Sequence, residues 1–168
     1  MTYSQKYTLV QFFSPIEQGD TFDMHEWPLH ITIADTFAVD DVQSLISDIA
    51  IYINTQPVAH TAIVDESTFG ETPVWILENT KDLYDFHNSI IAIFNSHHVT
   101  FNHPEFTGLG FVPHISKNLS TDMHIGDRIL INIVSLVDMF PERDWKKRRV
   151  VQHIKPSQIQ PGAPNSGQ

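Results

Sequence analysis

Apolar positions along this chain fall into short β-like runs interrupted by two stretches of helical period. Tyr7 to Phe13 is rich in β-forming residues and predicts a strand, followed by a loop over Ser14 to Asp20. Leu29 to Ala34 predicts a second strand. Val42, Leu45, Ile46, Ile49 and Ile53 then recur at about 3.6 residues, the period of a helix with one buried face. Asp40 and Asp41 open that helix, with Asp40 and Gln43 spaced as a capping box, and it should end near Ile53, before Gln56-Pro57. Strands follow over Val58 to Val64 and Pro73 to Leu77, with the turn at Ser67 to Gly70. Thr80 can cap a second helix with Asp82 in its first turn and Leu83, Phe86, Ile90, Ile91 and Phe94 on its apolar face. Ser96 to Gly110 reads as loop and Phe111 to Ser116 as strand. Ile129 to Val137 is almost continuously apolar and predicts one central strand covered on both faces. Met139 to Asp144 turns the chain into a last strand over Trp145 to Ile154. Mixed strands with two helices argue an α+β fold.

Composition narrows this. The 168 residues suit a single domain over 1–156, and 41% hydrophobic content supplies a core. Ser157 to Gln168, rich in Pro, Gly, Ser and Gln, predicts a disordered tail. No apolar run is long enough to cross a membrane, and the N-terminus lacks a signal-like segment, so a cytoplasmic protein is expected. With no Cys, thiolate metal sites, disulfides and a Cys nucleophile are excluded. The net charge of −10 disfavours a long polyanion but leaves room for a nucleotide-sized one. Arg143, Lys146, Lys147, Arg148 and Arg149 are five of the ten Lys and Arg, so the remainder is more acidic still.

The candidate chemistry lies in two tetrapeptides, one in each half: His30-Ile31-Thr32-Ile33 and His114-Ile115-Ser116-Lys117. Strand side chains alternate, so each would present an imidazole and a hydroxyl on one face and bury an aliphatic residue on the other. Brought together, they offer a general acid, a general base and two hydroxyl donors for one small anion. A lone His-x-Ser/Thr carries no weight among ten histidines. Two in strand context, each close to a Pro (Pro28 and Pro113), carry much more.

These motifs resemble those of the 2H phosphoesterases, the family of the 2′-5′ RNA ligases and 2′,3′-cyclic nucleotide phosphodiesterases, whose two motifs read His, apolar, Ser or Thr, apolar. Lys117 departs from the pattern at the last position. The resemblance implies two lobes related by a pseudo-twofold, each a small antiparallel sheet with outer helices, and a cleft between them. It implies a metal-independent phosphodiesterase, acting on 2′,3′-cyclic or 2′-5′ bonds of nucleotides or short RNA, with ligation as the formal reverse. His30, Thr32, His114 and Ser116 would be catalytic, with His30 as acid and His114 as base; the near-symmetric motifs alone leave that split open. The alternative is a nucleotide-binding module with the same pocket and no turnover. No cofactor, metal or stable protein partner is implied, and a monomer is expected.

Other candidates are weaker. Lys117 could hold phosphate at the rim, although alternation points it away from His114; its plainer reading is an exposed edge residue. Phe111 could stack on a base if Pro113 bends the strand; its plainer reading is core packing. His97, His98 and His103 lack acidic partners at zinc-like spacing and read as solvated loop residues. The Lys146 to Arg149 run reads as an exposed hairpin, with one or two cations at the cleft mouth as the alternative.

Overall fold

The computed structural model describes residues 5–118 and 122–157. Except for Ser157, the tail expected to be disordered lies outside them. The described residues form ten strands and two α-helices: β1 Tyr7–Phe12, β2 Thr21–Asp23, β3 His30–Ala38, α1 Val42–Asn54, β4 Ala59–Phe69, β5 Thr72–Leu77, α2 Lys81–Ser96, β6 Thr100–Phe101, β7 His114–Ser116, β8 Arg128–Ile131, β9 Val134–Asp138 and β10 Lys147–Ile154. The strands follow one path, β2-β10-β9-β1-β3-β7-β5-β4-β8, with β6 paired to β3. Every pairing is antiparallel. The two halves meet at β3 and β7 through the single pair Ile31↔Ile115, so the two small sheets join into one path at the motifs.

Both helices form where the 3.6-residue stripe predicts. Leu45, Ile46, Ile49 and Ile53 of α1, and Leu83, Phe86, Ile90 and Phe94 of α2, are buried against Ile31, Ile33, Phe37 and Ile115. The α1 cap is Asp41 rather than Asp40: its Oδ1 accepts from Ser44 N at 3.0 Å. Thr80 caps α2 through Leu83 N, as expected.

The apolar run at 129–137 is two strands, not one. β8 lies at the outer edge beside β4, and β9 lies between β10 and β1. The break falls at Asn132-Ile133, whose two N–H groups both donate to Gln11 Oε1 at 3.0 Å, while Gln11 Nε2 donates to the Leu130 carbonyl. One buried amide thus replaces the ladder bonds that a change of partner removes. The β4–β5 hairpin is longer than predicted and turns at Gly70-Glu71, where Gly70 has φ +62°, as a two-residue loop requires. The second motif strand is only three residues long, since Pro113 has no N–H to extend the ladder.

Candidate active site

The Ile31↔Ile115 register sets the site. In an antiparallel pair it puts Thr32 opposite His114 and His30 opposite Ser116, with all four side chains on the face away from the helices. The two histidines are then diagonal neighbours, about 7–8 Å apart between backbones. Neighbouring strands extend the array: Phe12 faces His30 and Val10 faces Thr32 on one side, and Ile76 faces His114 and Val74 faces Ser116 on the other. The predicted four are therefore brought together.

The two imidazoles are held alike. His30 Nδ1 lies 2.8 Å from the Pro28 carbonyl, and His114 Nδ1 lies 2.8 Å from the Val112 carbonyl, in each case two residues back. A carbonyl can only accept, so each Nδ1 carries the proton and each Nε2 is left to exchange one with a ligand. Among the described residues, neither the Thr32 nor the Ser116 hydroxyl has a hydrogen-bond partner, so both are available to an anion.

Their surroundings differ. The His30 ring packs 4.6 Å from Trp27 and 6.1 Å from Phe12. Desolvation there pulls its pKa from 6.5 down to about 4, opposed by the Pro28 carbonyl and assisted by the charge of His114. His114 is more open, with Phe69 edge-on at 4.7 Å. Trp27 and Phe69 come from loop and hairpin tip, and the sequence offered only their closeness to a motif or a glycine as a signal.

A neutral, half-buried His30 has a stability consequence. The unfolded chain binds a proton there below pH 6.5 and the folded chain only below about 4, so stability is lost as pH falls through that window. After allowing for the ring's residual solvent contact, the loss is about 2 kcal/mol. Thermal melts of wild type and His30→Gln from pH 7 to pH 4 should diverge by that amount, with the variant losing less.

Beside Thr32 and His114 opens a cavity of about 510 Å³, walled by Phe69, Phe106 and Phe111 and reached by Asp35; His30 sits beyond its lining. Phe111 is 8% exposed and packs face to face on His87 at 3.8 Å, as its plainer reading expects, and it also lines the cavity. Lys117 is not brought to the four. Its Nζ pairs with Glu66 at 3.0 Å and lies 5.0 Å over the Trp75 ring, on the other side of the strand.

The basic run is divided: Lys146 and Lys147 are exposed, as a hairpin reading expects, while the two arginines are taken up by the fold. Arg148 is buried, against expectation, because its Nη1 donates to the Met139, Trp145 and Lys147 carbonyls and braces the turn into β10. Arg149 pairs with Glu142. His97 bonds Asp48 and His103 bonds Glu105; among the described residues no three His, Asp or Glu side chains converge as metal ligands.

A long antiparallel sheet with two helices on one face and a paired His/hydroxyl array on the other defines an α+β fold built around a central two-motif site. Solved structures share it. A protein described only as a phosphoesterase aligns at TM-score 0.52 and 13% identity over 93% of this chain and all of its own. Escherichia coli LigT aligns in its apo form at TM-score 0.52 and 15% identity over 92% of this chain and 98% of LigT. LigT complexed with 3′-AMP aligns at 0.52 and 14%, over 92% and 99%. The chain thus has the fold of these two proteins. No protein-family model matches it, and no curated protein does. Among the described residues no helix is long and apolar enough to cross a membrane.

Proposed function

We propose that this chain is a metal-independent phosphodiesterase of the 2H type, opening 2′,3′-cyclic or 2′-5′ phosphodiester bonds of nucleotides or short RNA. The carrying observation is the four-residue array: two imidazoles locked through Nδ1, with each Nε2 free, beside two unpartnered hydroxyls on one face. The shared fold of a phosphoesterase, and of a protein crystallised with 3′-AMP, supports the reading.

The neutral state of His30 favours the base role for it in the free protein, the reverse of the split that the resemblance implies. Water attacks phosphorus in line and gives its proton to His30 Nε2. The P–O bond to one ribose oxygen breaks, and that oxygen takes a proton from His114 Nε2. Thr32 and Ser116 donate to the non-bridging oxygens as their charge grows. Ligation is the same path reversed.

Phosphorus NMR of the protein with 2′,3′-cyclic nucleotides in excess EDTA tests this. Ring opening should persist with EDTA, and kcat/KM should rise with pH through about 4 as His30 loses its proton. An intact ring would overturn the proposal. A rate that falls through pH 4 would return His30 to the acid role.

A further inference from the structure

We propose that Asp35 reads the Watson–Crick edge of a guanine base held in the cavity beside Thr32 and His114. The inference rests on the nucleotide reading above and adds the base to it.

The starting point is an irregularity in β3. Val10 pairs with Thr32 and Leu9 with Ala34, so one step along β1 spans two along β3. This bulge turns consecutive residues Ile33 and Ala34 both into the core, at 0% and 1% exposure. Under strict alternation Asp35 would follow Ile33 into the apolar layer beneath the helices. The bulge instead sends it to the face of Thr32, where it lines the cavity.

There the carboxylate is conspicuous. Phe69, Phe106 and Phe111 form the walls, and among the described residues no Lys or Arg lines them. Asp35 is half-buried and, among the described residues, makes no hydrogen bond or ion pair. An unpaired carboxylate against aromatic walls is costly unless a ligand supplies donors. Three residues of strand put it about 10 Å from Thr32, a separation that a purine nucleoside can bridge with its phosphate at the motifs.

The aromatic walls suit the flat faces of a base. A carboxylate offers two acceptors and no donor. Guanine's Watson–Crick edge offers two adjacent N–H groups, from N1 and N2, that match it. Adenine and cytosine each place a ring acceptor beside their amino group, and uracil sets one N–H between two carbonyls, so all three meet the carboxylate with a lone pair. The Phe111 wall is fixed by its stack on His87, which keeps the slot preformed.

Calorimetric titration at pH 7 with 3′-GMP, 3′-AMP, 3′-CMP and 3′-UMP tests the inference apart from catalysis. 3′-GMP should bind at least about tenfold more tightly than the others. Asp35→Asn, nearly isosteric and checked by its melting temperature, should reverse the order toward 3′-AMP, because an amide pairs one acceptor and one donor with adenine N6 and N1. Equal wild-type affinities, or a variant that weakens all four alike, would overturn it. Base-selective binding without ring opening would uphold this inference and sink the catalytic proposal; ring opening indifferent to the base would do the opposite.

Discussion

Replacing either His30 or His114 with alanine is expected to slow cyclic-phosphate opening by about 10²-fold or more. In the proposed mechanism each ring has a task that the other cannot take over, since the two histidines stand at the two ends of one diagonal of the array, one to take the proton of the attacking water and the other to protonate the leaving oxygen. The double variant should therefore be little worse than either single one, because a base without its acid partner has lost most of its use. The controls differ. His114 is more exposed, and its loss should leave melting nearly unchanged. The His30 ring fills space between Phe12 and Trp27, so His30→Ala opens a gap and His30→Gln is the better companion. Folded variants that retain wild-type rates would leave the paired motifs without a catalytic role.

What the sequence disclosed follows from which forces are local. The helices were legible because burial at a 3.6-residue period is written in the chain, and Thr80 could be named as a cap because capping joins residues three apart. The shared face of the four candidate residues was legible for the same reason: alternation over three residues fixes the relative direction of each His and its hydroxyl. Facts that depend on pairing were not legible. The 129–137 run looks like one strand because nothing in it announces that Gln11, over a hundred residues away, will satisfy the N–H groups at the break. The β3 bulge has no composition signal, so Asp35 reads as one more charge after a strand. Arg148 sits in a run of cations that suggests solvent, yet three carbonyls of a tight turn draw it inside.

His87 is the clearest such case, and its replacement should be the most damaging to stability of those considered. In the sequence it is a lone polar residue interrupting the apolar face of α2, yet it is 1% exposed. Its Nδ1–H donates to the Ile33 carbonyl at 2.8 Å, and its Nε2 accepts the Gly108 N–H at 3.1 Å. The ring is thereby neutral, and burial holds its pKa below the usual value. It ties α2 to the bulge in β3 and to the loop carrying Phe106 and Phe111, the two features that shape the cavity. His87→Leu keeps the volume but strands a carbonyl and an N–H in the interior, each costing about 1–3 kcal/mol. A loss of about 3 kcal/mol, or about 10 °C in Tm for a chain of this size, is expected. His87→Gln, whose amide can donate to Ile33 and accept from Gly108, should recover much of it. Because His87 touches none of the four motif residues, the surviving folded fraction should show a raised KM with kcat less affected. A Leu variant that melts like wild type would mean that these two bonds do not hold the cavity wall. A matched fall in kcat with unchanged KM would instead place the effect of His87 at the reacting groups.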